Sequence, residues 1–156
     1  MICYRWAEGP KFYEETSSWV VLALEASLQR AGQDPWLDRT RLSTHAKDLV
    51  KTVGSEMERK KMVIICIGPR DLERCQNEDD FFRWEIDRAT QLEAAGKLKV
   101  VVIVYGIDTL DTLVRKTKCL GDWGADFCDY VRKHYLIFLR VGSLEKEVTG
   151  IVKALT

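Results

Sequence analysis

The chain has 156 residues, 46% of them hydrophobic, enough apolar material for the core of one ordinary domain without a metal or a disulfide staple. Its 24 Lys and Arg balance 24 Asp and Glu, so no net field draws it to nucleic acid or to an anionic membrane. Apolar runs such as Val100 to Val104 fall far short of the roughly 20 residues that span a bilayer, no charged-then-apolar leader opens the chain, and residues 1–156 are expected to form a single soluble domain.

Ile2-Cys3-Tyr4-Arg5-Trp6 is an apolar and aromatic run that predicts a strand, closed by the turn signal Glu8-Gly9-Pro10. From about Tyr13 to Ala31 the residues Val20, Leu24, Leu28 and Ala31 recur at three- and four-residue steps, the period of a helix, and Gly32 stands where a left-handed cap ends it. A brief second strand is expected at Pro35-Trp36-Leu37, where the proline suits a sheet edge, followed by the polar loop Asp38-Arg39-Thr40-Arg41. A second helix is predicted over about Thr44 to Arg59, with Ser43 or Thr44 as its cap, Leu49, Val53 and Met57 on one face, and Gly54 as a weak point.

Met62 to Ile67 is a continuous apolar run closed by Gly68-Pro69, the pattern of a strand buried on both faces of a parallel sheet. Lys99 to Tyr105 and Tyr135 to Leu139 repeat it. The polar segment Arg70 to Asp80 leads into a helix that starts near Asp79 or Asp80, whose carboxylates complement the positive end of the helix dipole. The stretch before Tyr135, with Gly121, Trp123 and Gly124, is poorly patterned, and a last helix is expected from about Ser143 to Leu155.

Strands alternating with helices predict an α/β domain, with a flavodoxin-like, five-stranded parallel sheet of order 2-1-3-4-5 and helices on both faces. In such sheets ligands bind beyond the carboxyl ends of the strands where the order reverses, here between the first and third strands. That rule selects Tyr4, Arg5 and Trp6, the loop after Leu37, and Gly68, Pro69 and Arg70. Phosphate-cradling glycine loops, H-E-x-x-H and C-x-x-C pairs are absent, and His45 and His134 are isolated, so no metal is expected. The five cysteines, Cys3, Cys66, Cys75, Cys119 and Cys128, are odd in number and dispersed, which points to a reducing, cytoplasmic compartment.

Three segments resemble the sequence boxes of Toll/interleukin-receptor (TIR) domains. Ile2-Cys3-Tyr4-Arg5 is similar to the first, a hydrophobic strand ending in a Ser-Tyr-Arg type sequence, with cysteine in place of the usual small residue. Ala31-Gly32-Gln33-Asp34-Pro35-Trp36-Leu37-Asp38, then Leu42, resembles the second, a helix ending in glycine followed by a short strand and an Asp-containing turn. Val63 to Pro69, followed by Phe81-Phe82-Arg83-Trp84-Glu85-Ile86, resembles the family's buried strand and its aromatic-x-x-x-Glu-aliphatic helix. The Cys75-to-Glu85 arrangement looks closest to the TIR domains that cleave NAD, whereas the last third of the chain offers only a generic strand.

The resemblance implies an NAD glycohydrolase that releases nicotinamide and leaves ADP-ribose or a cyclic variant, acting in cell-death or immune signalling and activated by self-assembly. NAD is then the substrate, with no cofactor, and the implied partners are NAD and further copies or other TIR domains, with no nucleic acid and no membrane insertion. Nicotinamide is already a good leaving group, so one carboxylate that stabilises the ribosyl oxocarbenium ion, or attacks it, suffices. Glu85 is expected to supply it. Around it, Arg5 suits a phosphate, Trp6 a stacked ring and Asp38 the ribose hydroxyls, with Tyr4 and Gly68 at the same edge.

Blander roles stand beside each of these: Glu85 as an exposed helical partner of Arg88 or a nearby lysine, Arg5 in a surface ion pair, Trp6 in packing, and Asp38 as a turn cap. Two other functions fit the same residues. One is a TIR adaptor without catalysis; the other is a nucleoside deoxyribosyltransferase-like enzyme that leaves NAD intact.

Overall fold

At the centre of the sheet β2 (Met62–Ile67) and β3 (Lys99–Tyr105) run parallel, in register from Met62 opposite Lys99 to Ile67 opposite Val104. β1 (Ile2–Cys3) pairs with β2 and β4 (Leu136–Leu139) with β3, also parallel. The computed structural model describes residues 1–5, 16–37, 48–134, 136–139 and 143–155. Successive strand residues point to opposite faces: Val63, Ile65 and Ile67 join one core, while Ile64 and Cys66 join the other. Both faces are covered, so the strands read as unbroken apolar runs and not as alternating ones.

The described helices are α1 (Thr16–Arg30), α2 (Leu49–Glu58), α3 (Phe81–Ala94), α4 (Leu110–Thr117), α5 (Gly121–Lys133) and α6 (Leu144–Leu155). α1 and α6 cover one face through Leu24, Leu28, Val148 and Ile151. α2 to α5 cover the other through residues such as Met57, Ile86, Leu113 and Phe127. The architecture is the flavodoxin-like one expected from the strand and helix alternation.

Among the described residues the sheet has four strands and not five. The predicted second strand is a single bridge, Leu37 opposite Ile2, in which the Ile2 N–H donates to the Trp36 carbonyl at 3.0 Å. It lies on the edge of β1 away from β2, so the spatial order 2-1-3-4-5 survives with its edge strand reduced. Pro35 has no N–H with which to extend the ladder.

Gly32 takes φ 77°, and Gln33 N–H donates to the Leu28 carbonyl at 3.0 Å, closing α1 as predicted. The expected caps Ser43 and Thr44 lie outside the described residues. α2 is instead capped by Asp48, which accepts from Lys51 N at 3.0 Å. Asp80 caps α3, accepting from Phe82 N at 3.1 Å and Arg83 N at 3.2 Å.

The poorly patterned stretch proves to hold both α4 and α5, joined by a 3-10 turn at Lys118–Leu120. A Cβ at position 124 would fall 2.2 Å from the Thr117 carbonyl oxygen. Gly124 is therefore a requirement of the close approach of α5 to that turn, although its low helix propensity hides the helix from the sequence pattern.

At the amino-terminal edge of the sheet Glu93 of α3 ties three elements together. One carboxylate oxygen accepts from Val100 N at 2.7 Å. The other accepts from the Tyr130 hydroxyl and lies 3.1 Å from His134 Nε2. Burial, reinforced by the bond to Glu93, pushes the Tyr130 phenol well above its ordinary pKa. Glu93→Ala is expected to cost about 2–3 kcal/mol, since it strips a charged acceptor from two donors, read as a lower urea midpoint at unchanged m-value. Folding favours the neutral phenol, so Tyr130's contribution is intact below its unfolded pKa of about 10 and is lost as pH rises above it. Tyr130→Phe should flatten that part of the alkaline decline in stability.

Candidate active site

Gly68-Pro69-Arg70-Asp71 forms a tight turn after β2, with proline at the position where a fixed φ is favourable. Asp71 N donates to the Gly68 carbonyl at 3.3 Å, and Gly68 N donates back to Asp71 Oδ2 at 2.6 Å. Tyr105, the last residue of β3, donates its hydroxyl to the same oxygen at 2.9 Å. Arg5, just past β1, donates from Nη1 to the Asp71 carbonyl at 3.1 Å. One buried acidic residue thus ties together the carboxyl ends of β1, β2 and β3. Gly68 is dictated by contact, because a Cβ there would lie 2.6 Å from the Tyr105 ring and hydroxyl.

The turn continues into a 3-10 helix, Glu73–Gln76, in which Cys75 Sγ lies 3.9 Å from the Asp71 carbonyl. Burial, and after it the neighbouring Asp80 carboxylate, push the Cys75 thiol up to about 12, against the pull of Arg5 and Arg83. The buried Cys66 thiol is pushed up as well, by desolvation and then by Asp71. Neither thiol is a nucleophile near neutral pH.

Arg83 of α3 reaches back to the Cys75 carbonyl at 3.2 Å and stands 5.4 Å from the centre of the Trp123 ring. Trp123 Nε1 donates to Asp87 Oδ1 at 2.7 Å. The amino-terminal half of α3 is therefore held against both the turn and α5.

Glu85 stands on this half, on the buried arc of Phe82, Ile86 and Ala89, and is 1% exposed. The exposed-helix reading of this residue is excluded: Arg88 pairs with Glu58 of α2 instead, and Glu85 does not lack a partner, as the cost of burying a bare carboxylate demands. α3 also touches β1. Glu85 and Arg5 thus belong to adjoining elements at the point where the strand order reverses.

Of the other expected site residues, Arg5 and Gly68 meet through Asp71. Tyr4 is buried in the core beneath α1 and α6, on the sheet face opposite α3. Trp6 and Asp38 lie outside the described residues. Trp84 packs against the core on this face of the sheet, with its indole on Gly54 of α2 and stacked on Phe81, centroids 5.3 Å apart. There it walls a groove of about 370 Å³ between α2 and α3, together with Val50, Glu58 and Arg88.

Asp71 and Tyr105 had no place in the sequence reading. Asp71 sits in a segment legible only as polar, and its one local signal was an aspartate two residues after a proline in a turn. Tyr105 reads as the end of a strand. Among the described residues no group of three or more His, Cys, Asp or Glu is placed to hold a metal.

No family model matches the sequence, and no curated protein does either. Among solved structures, the TIR domains of the activated Roq1 resistosome, which directly recognises the pathogen effector XopQ, match it with a TM-score of 0.67. The match covers 99% of this chain and 97% of that one, at 14% identity. The chain has the fold of a TIR domain. Among the described residues of this TIR fold, no helix is long and apolar enough to cross a membrane.

Cys119 is exposed while Cys3, Cys66, Cys75 and Cys128 are buried. A disulfide reagent at about pH 8 is expected to titrate one thiol rapidly and the rest only on unfolding, with the fast phase gone in Cys119→Ser. Gly68→Ala should lose about 1–3 kcal/mol of stability through the clash with Tyr105, measurable by thermal or urea unfolding.

Proposed function

We propose that the chain is a TIR-type NAD glycohydrolase, cleaving the nicotinamide–ribose bond to release nicotinamide and ADP-ribose or a cyclic variant, with Glu85 as the catalytic carboxylate. The observation that carries this reading is a carboxylate 1% exposed, on the helix that touches β1 at the reversal of the strand order, within a TIR fold. A unit charge about 4 Å from the developing cation is worth roughly 4 kcal/mol at an effective dielectric of 20, or about a thousandfold in rate. Arg5, with one hydrogen bond among the described residues, has further N–H groups for the diphosphate. Trp6 as a stacking surface, Asp38 as an acceptor for ribose hydroxyls, and Gly68 at the binding edge complete the reading; Tyr4, buried on the opposite face of the sheet, has no part in it.

In this reading the domain works in the cytoplasm, in cell-death or immune signalling, and is activated by association with further copies or other TIR domains. Five free cysteines suit a reducing compartment. A second reading, a non-catalytic adaptor, is favoured by a different observation. A groove opens between α2 and α3, where Val50 is 48% exposed. Such a surface suits contacts between TIR domains.

The deciding experiment concentrates the purified domain on beads and follows NAD and nicotinamide, comparing wild type with Glu85→Gln. The expected result is NAD loss in the wild type and a fall of about a thousandfold in kcat in the variant. NAD left untouched by a domain that self-associates would favour the adaptor, and equal consumption by both proteins would remove Glu85 from the mechanism. Transfer of deoxyribose between bases with NAD intact would point to the deoxyribosyltransferase-like chemistry.

A further inference from the structure

We infer that Asp71 and Tyr105 are positioning residues for Arg5: a buried carboxylate and phenol that fix the direction of its guanidinium at the carboxyl edge of the sheet. The inference rests on the proposed role of Arg5 as the group that meets the dinucleotide's phosphates.

A buried carboxylate costs free energy unless hydrogen bonds compensate it, so its presence calls for a reason. Asp71 is not a helix cap: the residue before the 3-10 helix is Leu72, and that end has no side-chain cap bond. What Asp71 does is hold still. Its Oδ2 takes two hydrogen bonds, at 2.6 Å from Gly68 N and at 2.9 Å from the Tyr105 hydroxyl. Both donors stand at the ends of the two central strands, the most rigidly paired part of the sheet. The Tyr105 ring is itself confined, since it lies against the Gly68 backbone closely enough to exclude even a methyl group.

With its side chain locked, the main-chain carbonyl of Asp71 is locked too, and that carbonyl is where Arg5 Nη1 donates at 3.1 Å. An arginine side chain surrenders much rotamer freedom when it grips an anion. A guanidinium already tethered through one N–H surrenders part of that freedom on folding, before the ligand arrives. The remaining N–H groups then present a defined fork.

The test combines three variants with two readouts. Tyr105→Phe keeps the ring on Gly68 and removes the bond to Asp71; Asp71→Leu removes the acceptor; Asp71→Asn keeps an oxygen where Oδ2 stands. Bead-bound Tyr105→Phe is expected to raise KM for NAD roughly tenfold with kcat within about twofold, the scale of one hydrogen bond to a charged group. Asp71→Asn should recover most of the KM that Asp71→Leu loses. In parallel, the Arg5 Nε–Hε NMR signal should be sharp and displaced in the wild type, and should broaden toward that of a free arginine in Tyr105→Phe.

An Arg5 signal unchanged in Tyr105→Phe and in Asp71→Leu would overturn the inference, as would a fall in kcat at constant KM that follows the folded fraction. Should Asp71→Leu fail to fold, Tyr105→Phe decides alone. A wild type that leaves NAD untouched would sink the glycohydrolase reading by itself, and the Arg5 signal would still decide whether Asp71 orders that side chain.

Discussion

The backbone groups of β2 and β3 are shut away from water on both faces of the sheet, and parallel pairing with each other and with β1 and β4 is what satisfies them. Parallel pairing cannot be closed by a tight turn, so the chain crosses over through α3 between β2 and β3, and through α4 and α5 between β3 and β4. Every crossover returns the chain to the same end of the sheet. Arg5, Gly68 and Tyr105, far apart in sequence, therefore finish at one edge. The location of the candidate site is a consequence of that arrangement.

Acidic side chains then do three different jobs along the region from the end of β2 to the start of β3. Asp71 is compensated by a backbone N–H and a phenol and serves as a post for the strand ends. Glu93 joins the end of α3 to β3 and α5 at the other edge. Between them Glu85 rides on a helix anchored at its amino end by the Asp80 cap and by Arg83, and at its carboxyl end by Glu93. A helix held at both ends is the rigid support that the role proposed for Glu85 would require.

The two uses proposed for the TIR fold draw on different surfaces. Catalysis would take place at the carboxyl edge, between α3 and β1, whereas scaffolding would use the outer groove between α2 and α3. Trp84 and Glu85 are neighbours in sequence, yet Trp84 lines the groove while Glu85 is buried, because adjacent residues on a helix point about 100° apart.

Local chemistry was enough to read much of this chain. Continuous apolar runs identified β2, β3 and β4, because strands buried on both faces cannot alternate. Gly32 and Asp80 announced a helix end and a helix start, since capping is a contact between near neighbours in sequence. The reversal rule selected Arg5 and Gly68, which the structure joins through Asp71, and the family resemblance singled out Glu85. What tertiary structure alone decided are contacts between distant segments: the shrinking of the second strand to one bridge at Leu37, the helix hidden behind Gly124, the burial of Glu85, and the meeting of Asp71 with Tyr105 and Arg5. No periodicity or propensity encodes the bond between residues 71 and 105, which exists only because the sheet brings the two strand ends together.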